Sequence, residues 1–216
     1  MSTIDRFDFE REHLARGLIR LAGVDEAGRG PLAGPVVAAA VVMPELWIKE
    51  GVPESLRRLN DSKQLNEKVR EELFEVIDSF ECIECGIGVV DALLIDEINI
   101  LQATHRAMNE ALAKMTPPVQ HALVDGRPVP SLVVPQTAIV KGDGKSFSIA
   151  AASVLAKVMR DQLMVEYDQK HPGYGFAAHK GYGTKAHLAA IEKLGPCPIH
   201  RMSFAPLSNT QSELFS

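Results

Sequence analysis

Acidic residues stand at four positions where chemistry could be done: Asp25-Glu26, Asp125 and Asp143. Asp25-Glu26 follows the apolar run Leu21 to Val24, Asp125 closes the run Ala122 to Val124, and Asp143 comes just past Thr137 to Val140. All three runs read as short strands. In open α/β sheets ligands bind beyond the carboxyl ends of strands, so carboxylates placed there can converge on one point. Gathered without a partner they repel and are costly to desolvate, and a cation removes that cost. Mg²⁺ takes carboxylate oxygens together with waters and phosphate oxygens. Two such ions about 3.5–4 Å apart stabilise both the attacking and the leaving oxygen of a phosphodiester displacement. A plainer reading stands beside this one. Asp125-Gly126 and Asp143-Gly144 are ordinary turn sequences, and Asp25-Glu26 can equally cap a helix or pair with Arg29.

The elements that must position these acids alternate in type. Val36 to Met43 is a second, nearly continuous apolar run and reads as a buried strand. Between it and the first run, Gly28, Gly30, Pro31, Gly34 and Pro35 demand a loop. Asn60-Asp61-Ser62 precedes Leu65, Val69, Leu73, Val76 and Ile77 at helical spacing. Cys82 to Val90 reads as a third strand. Asp91 opens a helix to about Met115, ended by Pro117-Pro118. Ser146 to Gln169 and Thr184 to Leu194 read as helices. Strands first and a mixture afterwards predict an α/β domain with a mixed sheet. Residues 1–195 are expected to form this domain, and 196–216 a Pro-rich segment and flexible tail.

Other motifs fall away on inspection. Gly28-Arg29-Gly30-Pro31-Leu32-Ala33 fits the loose dinucleotide pattern, but a strand follows it rather than the helix that should hold a pyrophosphate. Gly144-Lys145-Ser146 resembles the end of a P-loop, yet the first glycine of that motif would be Ile139. Cys82, Cys85, Cys197 and His200 could make a zinc site. Residues three apart on a strand face opposite sides, so small buried thiols are the expectation for Cys82 and Cys85. His105 and His121 lack ligand spacing. Three cysteines do not suggest a disulfide framework.

Composition bounds the class. Hydrophobic residues are 46% and charged residues 24%, ordinary for a globular protein. No apolar run approaches about 18 residues and the first residues lack an apolar signal region, so no membrane span and a cytoplasmic location are expected. Net charge is −5, which opposes phosphate binding. Between Lys141 and His187, however, seven Lys or Arg face four acids, which makes that stretch locally basic. No long exposed heptad pattern asks for a dimer, so a monomer is expected.

The run Gly23-Val24-Asp25-Glu26-Ala27-Gly28-Arg29-Gly30-Pro31-Leu32-Ala33-Gly34-Pro35-Val36 resembles the opening signature of the ribonuclease HII family. Asp61-Ser62-Lys63-Gln64-Leu65, Leu123-Val124-Asp125-Gly126, Lys141-Gly142-Asp143, Ser148 to Arg160-Asp161, and His179-Lys180-Gly181-Tyr182-Gly183-Thr184 match the same family in the same order. The resemblance spans about Gly23 to His200. It implies a ribonuclease H-like fold, with a central mixed β-sheet flanked by helices and a helical C-terminal portion. It implies an endonuclease that cuts the RNA strand of RNA–DNA hybrids and the 5′ side of single ribonucleotides in duplex DNA. The products would be 3′-hydroxyl and 5′-phosphate ends, with roles in DNA replication and repair.

By the same resemblance Asp25, Glu26, Asp125 and Asp143 are the catalytic acids and hold Mg²⁺ or Mn²⁺. Asp25 would bridge two ions, Asp125 and Glu26 would complete the first site, and Asp143 would support the site that activates water. Gly28, Arg29 and Gly30 match the family's ribonucleotide-sensing loop. Glycines let backbone approach a sugar closely, and the 2′-hydroxyl tells RNA from DNA. Tyr182 matches the tyrosine that family members place at the RNA–DNA junction. Lys63, Lys145 and Lys180 are expected either to contact phosphates or to be solvated surface lysines. Ser146 and Ser148 would contact the backbone too, or begin a helix as caps. The tail Gln211-Ser212-Glu213-Leu214-Phe215 resembles the Q-x-x-L-F peptide by which bacterial replication proteins dock on the sliding clamp, with Gln211, Leu214 and Phe215 as its anchors; a frayed terminus is the alternative. The rival of a different class is a catalytically inactive nucleic-acid-binding module of the same fold, and the presence of all four acids weighs against it.

Overall fold

Positions 36–43 are apolar without interruption, and such a strand is stable only when both of its faces are covered. The computed structural model describes residues 5–208, and both faces are covered in it. Five strands form one sheet: β1 (Leu21–Ala27), β2 (Val36–Val42), β3 (Glu84–Val90), β4 (His121–Asp125) and β5 (Gln136–Ile139), in the order β3-β2-β1-β4-β5. β2 runs antiparallel to both β1 and β3, while β1–β4 and β4–β5 are parallel. This is the mixed sheet the sequence predicts.

Two long helices cover the faces. Ala38, Ala40 and Val42 pack with Ala103, Ala107 and Ala111 of α4 (Ala92–Ala113). Ala39 and Val41 face the other way, onto Ala150, Ala151 and Val154 of α5 (Phe147–Lys170). Small residues on both partners let the helices lie almost on the sheet. A Cβ added at Gly88 would stand 1.9 Å from the Ala107 carbonyl oxygen, and one at Gly23 2.1 Å from the Ser148 carbonyl carbon.

Among the described residues five shorter α-helices complete the body: α1 (Asp8–Leu14), α2 (Glu45–Glu50), α3 (Glu67–Ser79), α6 (Phe176–His179) and α7 (Lys185–Leu194). The sequence reading does not contain α1, α2 and α6, which are too short to display an apolar period. α3 starts later than expected, because Asn66 rather than Asn60-Asp61-Ser62 caps it, accepting from the Val69 N–H at 2.9 Å. Asp61 caps a turn instead, with Lys63 N–H at 2.9 Å. α4 is broken at Asn99, whose φ of 66° is left-handed. Its side-chain oxygen accepts from the N–H groups of Leu101 and Gln102, so the helix restarts there.

Two further expectations are corrected. Cys82 and Cys85 are exposed free thiols, not small buried ones. β3 is an edge strand that begins only at Glu84, which leaves Cys82 in the preceding turn. The chain after Gly195, expected to be a Pro-rich segment and flexible tail, packs against the rest of the body as far as Leu207. Ile199, His200, Arg201 and Leu207 are buried, and His200 bridges to Ala33. Gln211, Leu214 and Phe215 lie outside the described residues. Among the described residues no helix is long and apolar enough to cross a membrane.

Candidate active site

Strand register brings the first two acids together. β1 and β4 run parallel with Val24 beside Val124, so one residue further on Asp25 and Asp125 stand side by side. Residues i and i+2 of a strand share a face. Gly23 lies against Ser148 of α5, and Leu123 packs on Ile149, so both carboxylates project on the α5 side. β5 supplies the third. The chain leaves it through Lys141, at a left-handed φ of 57°, and enters a 3₁₀ turn, Gly142–Gly144, that carries Asp143. The Gly142 N–H donates to the Asp125 carboxylate at 2.6 Å and ties turn to strand. Asp25, Asp125 and Asp143 each offer an oxygen within 4.8 Å of the others.

Glu26 is not part of that trio. It follows Asp25 directly, so strand alternation turns it away, and its carboxylate sits 3.2 Å from the Arg29 guanidinium. It lies at the edge of the cluster and borders two cavities. One, of about 390 Å³, is lined by Gly28–Gly30, Ser62, Lys63, Ser153 and Tyr182 among others. The second, of about 350 Å³, is reached past Asp125 and Arg29 toward His105.

The electrostatics are those of crowded, partly dehydrated acids. Burial raises the Asp25 carboxyl well above the usual carboxylate range, and the charges of Glu26 and Asp125 raise it further. Burial raises Asp143, with Asp125 and Asp61 adding to the shift. Glu26 is raised by burial and held back by Arg29. Like charges at this spacing repel, and an all-oxygen donor set of this kind is what Mg²⁺ or Mn²⁺ prefers.

The Asp143 turn is braced by the N-terminal segment, which the sequence reading left unassigned. Arg6 donates to the Asp143 carbonyl at 2.8 Å. Glu10, fully buried, accepts from the Ser146 hydroxyl at 2.6 Å. Ser146 in turn caps α5, accepting from the Ile149 N–H at 3.1 Å. Ser146 and Ser148 are fully buried, and Ser146 takes the cap position of its two expected roles.

The other expected contacts divide. The exposed Lys63 lines the larger cavity beside Gly28–Gly30 and Tyr182. Lys145 does not line it; its ammonium donates to the Val140 carbonyl at 2.8 Å. Lys180 is turned aside as well, donating to the Ala177 carbonyl at 2.7 Å and standing 3.6 Å from Glu67. Tyr182 is 46% exposed and its ring edge stands over Gly30, 3.8 Å from where a Cβ would be.

Two fully buried arginines shape the 28–35 loop. Arg201 donates to the carbonyls of Gly28 (2.6 Å), Arg29 (3.1 Å) and Gly34 (2.9 Å). Arg160 donates to Pro35 (3.0 Å), Ala33 (3.1 Å) and, across the cleft, Lys180 (3.0 Å). Arg160 closes the Ser148 to Arg160-Asp161 motif, and nothing local in the sequence points to Arg201.

Similarity to known proteins runs over almost the whole chain. The profile of a family described as ribonuclease HII matches residues 22–207. A ribonuclease HII of Geobacter sp. (strain M21) is 55% identical over 204 residues, covering 94% of this chain and 85% of that protein. Among solved structures, the ribonuclease H2 from Pyrococcus horikoshii OT3 superposes with a TM-score of 0.73 at 27% identity, covering 91% of this chain and 99% of that one. The ribonuclease HII in the PCNA:RNase HII complex from Archaeoglobus fulgidus superposes with a TM-score of 0.67 at 26% identity, covering 86% and 95%.

Proposed function

The chain belongs to the ribonuclease HII family, and from that premise we propose that Asp25, Asp125 and Asp143, with Glu26 at their edge, are the catalytic centre of its metal-dependent endoribonuclease activity. The enzyme hydrolyses the RNA strand of RNA–DNA hybrids and cuts 5′ of single ribonucleotides in duplex DNA, leaving 3′-hydroxyl and 5′-phosphate ends. The observation that carries the assignment is the meeting of three carboxylates, two from neighbouring strands and one from the turn after β5, within 4.8 Å, two of them with raised proton affinity. Bound there, Mg²⁺ or Mn²⁺ supplies neutralisation of that charge and activation of the attacking water.

The chain's own residues do the rest. β1, β4 and the 142–144 turn hold the acids in place through backbone N–H bonds to Asp25, Asp125 and Asp143. Backbone at 28–30, without a side chain at Gly28 or Gly30, meets the sugar and its 2′-hydroxyl. Tyr182, across from Gly30, stacks on the neighbouring deoxyribose. Lys63 is the lysine that meets a phosphate. The test is cleavage of an end-labelled DNA duplex carrying one ribonucleotide. A single cut 5′ of it in Mg²⁺ or Mn²⁺, and none in EDTA, is expected; a cut that persists in EDTA would refute the assignment.

The protein is proposed to work as a cytoplasmic monomer, with residues 1–195 as its catalytic unit and the packed 196–208 segment supporting the 28–35 loop. Its last residues, Gln211 to Phe215, are proposed to dock on a sliding clamp, a reading supported by the clamp complex of the Archaeoglobus relative. Clamp pull-down by the full chain, lost on removing the last six residues, is the expected result, and equal retention would sink it.

A further inference from the structure

The turn that carries Tyr182 needs to be held from outside. Lys180 and Gly181 both lie in the left-handed region, at φ 51° and 81°, and such a pair has little local preference for one geometry. Behind the turn lies a group of buried rings. His187 and His200 are 0% and 3% exposed, and their Nε2 atoms face each other at 3.1 Å. His179 stacks on His187 with ring centroids 4.4 Å apart, and Phe176 meets His187 edge-on.

The partners fix the direction of every hydrogen bond in the pair. The Cys197 N–H points at His200 Nδ1 at 2.9 Å, so that nitrogen is an acceptor. The Cys197 carbonyl lies 3.2 Å from the same nitrogen and accepts the His200 backbone N–H at 2.9 Å, but a nitrogen that receives the Cys197 N–H carries no proton to give it. His200 therefore carries its proton on Nε2 and donates it to His187 Nε2. His187 is left with its proton on Nδ1, which donates to the Tyr182 carbonyl at 2.9 Å, on the oxygen that also accepts the Thr184 N–H at 2.8 Å. Each ring nitrogen has one role, in a chain that starts at the Cys197 N–H and ends on Tyr182. Burial lowers the proton affinity of both rings, His200 to about 4, so both are neutral at physiological pH and the chain stands. His179 adds a second tie, accepting from the Gly181 N–H at 3.2 Å and donating to the Tyr174 carbonyl at 2.8 Å.

We propose that His187 and His200 are positioning residues for Tyr182: their directional relay fixes the residue's carbonyl and so sets where its ring stands over Gly30. This rests on the reading of Tyr182 as the residue that meets the RNA–DNA junction. A pair of imidazoles is a costly filling beside a cluster made of Ala33, Met164, Tyr174, Phe176 and Ile199. Apolar side chains would fill the same volume, but they cannot hold a carbonyl in one direction.

The test is a double-mutant cycle on the single-ribonucleotide duplex, with His187→Phe, Tyr182→Ala and both together, each checked for folding by thermal melting. His187→Phe alone is expected to lower kcat/KM about tenfold, on the scale of one well-placed hydrogen bond. In the Tyr182→Ala background it is expected to cost nothing more. His187→Asn, which keeps an N–H donor near the Nδ1 position, is expected to recover most of the loss. Should His187→Phe melt below the assay temperature, His200→Phe, which removes the donor to His187, replaces it in the cycle. If Tyr182→Ala is impaired while the histidine variant is neutral, or costs the same factor in both backgrounds, the relay is overturned and the Tyr182 reading stands. If Tyr182→Ala cleaves like wild type, the Tyr182 reading falls and the relay with it.

Discussion

Asp25→Asn is expected to abolish cleavage and, in the absence of metal, to make the protein more stable. The carboxylate is buried between Asp125 and Asp143, and its proton affinity is raised by burial, then by Glu26 and Asp125. A group whose folded pKa lies above its unfolded one binds its proton more tightly in the native state. Its ionisation therefore costs stability as pH rises from the ordinary carboxylate range through the raised folded value, and the cost is complete only above that value. Asparagine keeps the oxygen that accepts from the Glu26 N–H at 2.7 Å and removes the charge. In EDTA the variant should gain about 1 kcal/mol at neutral pH, the usual scale for relaxing a functional site, and should show a flatter loss of stability from pH 4 to 8. Cleavage should fall at least about a thousand-fold, since metal stabilisation of the developing charge is worth several kcal/mol. Wild type should regain stability on adding Mn²⁺, by about 2.7 kcal/mol at a hundred times the dissociation constant, and the variant much less. Urea melts across pH, with and without metal, read all of this. A destabilised variant in EDTA, or an unchanged pH slope, would mean that the three carboxylates do not strain one another.

The sequence carries the parts of this design that have a period or a motif. The run at 36–43 announces a doubly covered strand, and each of the acids is visible because an apolar run precedes it. Which acids meet is a matter of register, and register is not written in a strand's composition. Only the pairing of Val24 with Val124 puts Asp25 beside Asp125, and only strand alternation sends Glu26 to Arg29. Contacts between distant, aperiodic segments leave no local trace at all. Arg6, just before a seven-residue helix, and Glu10 within it support the Asp143 turn and the Ser146 cap beside it from 137 and 136 positions away, and nothing in the sequence decides between Ser146 as a substrate contact and Ser146 as a cap. Lys145 and Lys180 each give a proton to a nearby carbonyl, Val140 and Ala177, contacts that charge and position in the sequence do not foretell. The exposed Cys85 lies on β3, an edge strand, a place that depends on the order of the whole sheet, and Cys82 lies in the turn before it.

The second large effect is expected where the sequence is most silent. Arg201→Met should cost about 3–5 kcal/mol in stability while leaving the metal cluster in place. The guanidinium is 0% exposed and gives its N–H groups to the carbonyls of Gly28, Arg29 and Gly34. Methionine fills much of the volume but leaves those oxygens without a donor, at about 1–3 kcal/mol for each that stays buried. The loop can recover part of that only by turning the carbonyls outward to water, which moves the backbone at 28–30 away from the sugar it is proposed to meet. Arg201→Lys should help little, because a single ammonium cannot reproduce a planar fork reaching three acceptors. Asp25, Asp125 and Asp143 take their positions from β1, β4 and the 142–144 turn, none of which Arg201 touches, so Mn²⁺ should still raise the melting temperature of Arg201→Met. Its kcat/KM for the single-ribonucleotide duplex should drop well below that of wild type at a temperature where both are folded. Retained metal stabilisation with lost cleavage would separate ribonucleotide sensing from metal binding within one cleft. Wild-type cleavage by a folded Arg201→Met would show that the 28–30 backbone holds its shape without help, and that the arginine serves stability alone.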